Sequence, residues 1–353
     1  MTVNAEWRAP QEKRVFVRRR TQIFGNVILV VTAIALCLIV MELAARRIFA
    51  DIGTSGDRNT YFSKRWYAQH PLKLNRLGFR ERSFSSQPAP GVFRIASVGD
   101  SFTFGAGILS EERISNLIET EMNQGGSHSF EVLNFGQPGA NYEQHVTNME
   151  LALEKAKPDF ILLQWYLNDI DDPDELRPRP KQLGWLLHAQ LSEVSALYMV
   201  AFRVFSDLQI KLGLIDVDEY YARFVDPEDP ISVRADDRFL KAVDVARAAG
   251  IPIGVYIWPE LTRSIGSSPN AAIIRRLLAL CDAEAIDCID LSPVLKQEPQ
   301  HERLIVNRFD THASAYANRL SAHLLIERFG HRWAGRAGTK LKSGQASAGT
   351  TRK

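Results

Sequence analysis

Hydrophobic positions along this chain follow three different patterns. From Thr21 to Met41 no side chain is charged and Val27 to Val40 is almost wholly aliphatic, which meets the roughly 20 residues that a helix needs to cross a bilayer. From residue 92 onward, short apolar runs alternate with stretches of helical period. The runs predict strands near Arg94 to Val98, Phe130 to Phe135, Phe160 to Tyr166, Pro252 to Ile257 and Ile286 to Ile289. The periodic stretches predict helices over Glu111 to Asn123, Tyr142 to Lys155, Ala235 to Ala249, Ala271 to Asp282 and Ser314 to Phe329. Such alternation argues for a parallel sheet covered by helices on both faces, in one α/β domain. The third pattern is the interruption from Asp171 to Val233, whose middle, Leu183 to Leu212, is densely apolar at roughly helical spacing. It reads first as helices packed on the core, with a lid over a site or a surface resting on a membrane as alternatives.

These patterns divide the chain into a basic N-terminus (1–20), a membrane span (21–43), a tether (44–91), an α/β domain (92–330, with the insertion 171–233) and a disordered basic tail (331–353). The tether is polar and turn-rich but carries Tyr61, Phe62, Trp66 and Tyr67, so it packs partly on the domain. After the apolar run, Glu42-Leu43-Ala44-Ala45-Arg46-Arg47 is a poor signal-peptidase site, which favours an uncleaved anchor. The cluster of Arg8, Lys13, Arg14, Arg18, Arg19 and Arg20 outweighs Arg46 and Arg47, so the positive-inside rule leaves the N-terminus in the cytoplasm. A single-pass protein of the inner (plasma) membrane is expected, with its α/β domain periplasmic or extracellular. A formal net charge of +2 gives no argument for nucleic acid. Cys281 and Cys288 flank a helix-to-strand junction, and a disulfide between them or two buried thiols both fit.

Chemistry concentrates at the expected strand ends. Ser101, in Gly99-Asp100-Ser101-Phe102-Thr103-Phe104-Gly105, sits at a strand-to-helix turn, where a hydrolase places a nucleophile. Gly139 follows the second strand, where a glycine lets a backbone N–H approach a ligand, and Asn168 follows the third with a side-chain amide to donate. His312 in Phe309-Asp310-Thr311-His312 precedes the last helix, with Asp310 near enough to orient it, and His145 is the rival base. Asp100 and Asp169 read as loop supports. The run Asp169, Asp171, Asp172, Asp174 and Glu175 reads as a solvated charge cluster rather than a cation site.

On Gly99-Asp100-Ser101, the block Asn134 to Gly139, Asn168-Asp169 and Asp310-Thr311-His312, the chain resembles the SGNH, or GDSL, hydrolase superfamily over roughly residues 92 to 329. The resemblance implies a flavodoxin-like three-layer α/β/α sandwich without metal or organic cofactor. It makes Ser101 the nucleophile, His312 the base and Asp310 its orienting acid, with the Ser101 N–H, Gly139 and Asn168 as the oxyanion hole. Tyr166 stands where the third block often has glycine, and the short Asp-x-His spacing resembles the branch that acts on polysaccharide acetyl groups. The expected function is a membrane-anchored serine esterase removing O-acyl, above all O-acetyl, groups from carbohydrate. The alternatives are an O-acyltransferase on exported polysaccharide, a lysophospholipase or thioesterase, and a non-catalytic polysaccharide-assembly protein.

Overall fold

A computed structural model describes residues 9–50, 52–53, 59–124, 129–171, 184–261, 265 and 269–349. In chain order the elements are α1 (Ala9–Ile48), α2 (Tyr61–Gln69), β1 (Val92–Gly99), α3 (Ser101–Phe104), α4 (Ile114–Gln124), β2 (Ser129–Gly136), α5 (Tyr142–Ala156) and β3 (Phe160–Trp165). They continue with α6 (Trp185–Val194), α7 (Ala196–Lys211), α8 (Val217–Ala222), α9 (Pro230–Ala248), β4 (Ile253–Ile257), α10 (Asn270–Ala283) and β5 (Asp287–Asp290). The chain then forms α11 (Ser292–Leu295), β6 (Ile305–Asn307), β7 (Asp310–Ala313) and α12 (Ala315–Gly349).

The five long strands form one parallel sheet in the order β2-β1-β3-β4-β5. Because a strand alternates its side chains between faces, β1 sends Phe93 and Ile95 to one side and Ala96 and Val98 to the other. The first side packs on α4 and α12 through Ile118, Phe329 and Trp333; the second packs on α5, α9 and α10 through Met149, Phe239 and Ile273. The result is the three-layer α/β/α arrangement. Sequence-adjacent β1 and β2 pair, and the chain then crosses to the far side of β1 to add β3, which opens a crevice at the carboxyl ends of these strands. The registers Gly99↔Gly136 and Val98↔Leu163 bring the chain segments leaving β1, β2 and β3 side by side.

Two expectations change. The tail does not come loose after residue 330: α12 runs on to Gly349, because Phe329, Trp333 and Ala337 continue one apolar stripe at four-residue spacing and all are buried. Lys340 then closes the helix onto the sheet, its Nζ donating to Asp159 (2.7 Å) and to the Val92 carbonyl (2.9 Å). The acidic run is not a uniformly solvated cluster either. Asp169 is buried and Asp171 half-buried, whereas Asp172, Asp174 and Glu175 lie outside the described residues.

The insertion forms α6, α7 and α8, and α8 packs Tyr220 and Tyr221 into the core. Cys281 of α10 and Cys288 of β5 form a disulfide, with their Cα atoms 6.1 Å apart. Within α1, Gln22–Ile48 is long and apolar enough to cross a membrane, and the side chains Ile23 to Met41 stand exposed.

Candidate active site

The turn after β1 is built by small residues and one capping carboxylate. Asp100 accepts from the Phe102 N–H (2.8 Å) and starts α3, which leaves Ser101 as the first helical residue with its N–H among the amides that have no intrahelical partner. Gly105 ends the helix in the left-handed region at φ 79°. Gly136 is required for packing: a Cβ there would lie 2.3 Å from the Phe104 nitrogen, so a side chain at that position would displace α3. Asn134 reinforces the same junction, donating to the Thr103 carbonyl (2.6 Å) and Ser115 Oγ (2.9 Å) while accepting from Gly136 N–H (3.0 Å).

Residues 211 positions apart meet at this turn. His312 Nε2 lies 2.8 Å from Ser101 Oγ, and its Nδ1 is hydrogen-bonded to Asp310 Oδ1. Asp310 is held in turn: its carboxylate accepts from the His312 N–H (3.1 Å), while its own N–H donates to Asn307 Oδ1 (3.0 Å). The hairpin of β6 and β7 is what makes the short Asp-x-His spacing work. In the extended β7 strand, residues two apart project to the same side. Phe102 packs edge-on against the imidazole, with ring centroids 5.3 Å apart, and joins Tyr166 (4.4 Å) and Trp258 (5.2 Å) as an aromatic floor. Burial works against a charged imidazole, but the hydrogen bond and charge of Asp310, with Asp100 behind, outweigh it and raise the pKa of His312 above 6.5.

The remaining expected residues sit on the neighbouring loops. Gly139 lies in the turn after β2, exposed and at φ 74°, a conformation that favours glycine. Asn168 is half-buried in the 3₁₀ turn after β3, with its Oδ1 buried and unpartnered. His145 is removed from the surface altogether: it is buried in α5, and its Nε2 lies 2.8 Å from Asp169 Oδ1. Asp169 also accepts from the Tyr166 N–H (2.8 Å), so the pair braces the β3 turn. Asp100 is buried within electrostatic reach of this acid, and desolvation together with the Asp169 charge pushes its pKa up to about 6.

Several supporting residues carry no sequence signal. Gln164 on β3 accepts from the Asp100 N–H (2.9 Å) and Thr103 Oγ1 (3.1 Å), locking the turn from below. Arg80, from the tether, is buried and donates to the carbonyls of Gly105 (2.6 Å) and Ile108 (2.8 Å), which hold the loop behind Ser101. Glu81 accepts from the Asn134 N–H (2.8 Å). The tether is therefore part of the framework of this site, which its polar, turn-rich sequence alone does not reveal.

A hydroxyl, an imidazole and a carboxylate in one hydrogen-bonded row can generate an alkoxide-like nucleophile and return its proton to a leaving group. No family model matches the sequence, and no curated protein matches it. Among solved structures, the chain is similar to a member of the lipolytic protein G-D-S-L family from Veillonella parvula, at 15% identity and TM-score 0.42, over 67% of this chain and 98% of that one. It is similar to a lipase/acylhydrolase from Enterococcus faecalis (13%, TM-score 0.40, 68% and 96%) and to an acetyl xylan esterase (17%, TM-score 0.42, 67% and 98%).

Proposed function

We propose that this chain is a serine esterase of the SGNH type, anchored by α1 and facing the periplasm or cell exterior. The observation that carries the reading is the continuous row from Ser101 Oγ through His312 to Asp310. In this mechanism His312 Nε2 takes the Ser101 proton as Oγ bonds to the ester carbonyl carbon. Asp310 keeps Nδ1 protonated and stabilises the imidazolium that forms. The oxyanion is held by the N–H groups of Ser101 and Gly139 and the amide of Asn168, where loss of one donor costs about 3–4 kcal/mol. Collapse breaks the ester C–O bond, His312 delivers its proton to the departing alcohol, and water, deprotonated by the same imidazole, releases the acid. The Asp-x-His spacing supports O-acetylated carbohydrate as the substrate class. The exported location is supported by the basic residues ahead of the span and by the Cys281–Cys288 disulfide, which suits an oxidising compartment.

The test is covalent labelling of the full-length protein with a fluorophosphonate probe. Ser101 is expected to carry the adduct, and Ser101→Ala to abolish it. Absence of labelling under conditions where a known serine esterase reacts overturns the esterase reading in favour of a binding role.

A further inference from the structure

Two helices of the insertion, α6 and α7, are arranged against the usual rule for a water-facing surface. In α7 the buried positions include Ser206 and Gln209, whereas Val204 and Phe205 are 62% and 51% exposed, and Leu212 just after the helix is 64% exposed. On a surface that meets water the apolar stripe of a helix turns inward. Leu186 and Leu187 of α6 and Leu214 after α7 are exposed as well. This patch also continues the apolar surface of α1. A groove of ≈ 710 Å³ between the two is lined by Leu38, Ile39 and Leu43 on one side and Leu191, Leu197 and Tyr198 on the other.

The height of the patch relative to a bilayer follows from one carboxylate. The uncharged run ends at Met41, and from Thr21 it spans about 30 Å by helical rise, one hydrocarbon thickness. Glu42 therefore marks the outer boundary of the hydrocarbon. Its carboxylate caps α7 in trans, accepting from Ser195 Oγ (2.7 Å), Ala196 N–H (3.0 Å) and Leu197 N–H (2.9 Å), while Arg46 donates to the Val194 carbonyl (2.8 Å). The elbow between α6 and α7 is thus fixed at that boundary, and Tyr198 of α7 faces Leu38 and Ile39, which lie below it.

We propose that α6 and α7 form a membrane-embedded hairpin, lying in the outer leaflet with acyl chains covering its apolar face and filling the groove against α1. The inference rests on the anchor reading of α1. It commits to lipid because the patch is continuous with the span and held at its outer boundary. It also fixes the height of the reaction centre. Phe49, one residue beyond α1, packs edge-on against Phe309 at 5.3 Å, directly beside Asp310 on the hairpin that carries His312.

The test is spin labelling of full-length protein in phosphatidylethanolamine–phosphatidylglycerol proteoliposomes. The background is Cys37→Ala, since Cys37 is the free thiol among the described residues. Nitroxides are placed by Phe205→Cys, Leu208→Cys and Leu212→Cys, with Ile34→Cys as a bilayer reference and Asp244→Cys as an aqueous one. Collision rates are then measured with oxygen and with a water-soluble nickel chelate. All three α7-region labels are expected to resemble Ile34, with oxygen favoured over nickel. Labels that resemble Asp244 while Ile34 remains lipid-exposed overturn the embedding and leave the anchor intact; an aqueous Ile34 overturns both. Shielding from both reagents, with spin–spin broadening that grows with the protein-to-lipid ratio, shows that a second copy covers the face and also overturns the embedding.

Discussion

Replacing Arg80 by methionine tests whether the segment after α1 is a tether or a wall of the site. Methionine keeps much of the apolar stem and removes the guanidinium, so the perturbation falls mainly on its hydrogen bonds. Two are well made, to the Gly105 and Ile108 carbonyls at 2.6 and 2.8 Å, and a third to Phe104 at 3.4 Å is long. Each interior carbonyl that loses its partner costs about 1–3 kcal/mol, and Gly105 keeps only a long bond from the Ile108 N–H at 3.4 Å. Two give about 2–6 kcal/mol, and relief from burying a cation with no carboxylate in ion-pair contact among the described residues offsets part of this. A net loss of about 3 kcal/mol corresponds to a fall in Tm of about 6–12 °C for a domain of this size. Thermal unfolding in detergent, followed by intrinsic fluorescence, measures it. Because the freed loop packs Gly107 close to Val306 and Asp310, esterase turnover should fall as well. A Tm within about 2 °C of the wild type, with turnover unchanged, refutes the structural role given to Arg80.

The pH dependence offers two further tests. His312 must be neutral to accept a proton, and its pKa is raised, so the acid limb of kcat/KM should have its midpoint above 6.5. Asp310→Asn removes the main raising influence and leaves burial, which should move the midpoint below that of the wild type along with a large loss of rate; an unmoved midpoint removes Asp310 from the mechanism. Asp100, raised from 3.8 to about 6, prefers to be protonated when folded, so its contribution to stability declines as pH rises from about 4 to about 6. Asp100→Asn keeps the acceptor for the Phe102 N–H and should flatten that part of the Tm–pH curve, by on the order of 3 kcal/mol across the window; parallel curves for variant and wild type contradict the shift.

The sheet was legible because β1 to β4 are short runs buried along most of their length on both faces, while the edge strand β5 is half-buried. The residues of the candidate site were legible because Ser101, Gly139 and Asn168 each follow a strand end, while Asp310 and His312 stand together just before the last helix. The supports were not, because Gln164, Arg80 and Glu81 act through geometry: a strand glutamine and two charged tether residues look ordinary until the fold buries them. The continuation of α12 was missed because its stripe narrows to Phe329, Trp333 and Ala337 among glycines and basic residues that read as a loose end. In α7, sequence period alone could not tell a core-facing stripe from an outward one, since both give the same spacing.

The central claim is that Ser101 and His312 act as one unit on an ester. It is tested most directly by kcat/KM for p-nitrophenyl acetate in Ser101→Ala, His312→Ala and the double variant, each verified as folded by its thermal transition. Groups that work together are strongly non-additive, so each single change should cost several orders of magnitude and the double change no more than the worse single. Losses that multiply, or a folded His312→Ala enzyme within about two-fold of the wild type, would contradict a shared role for the two side chains.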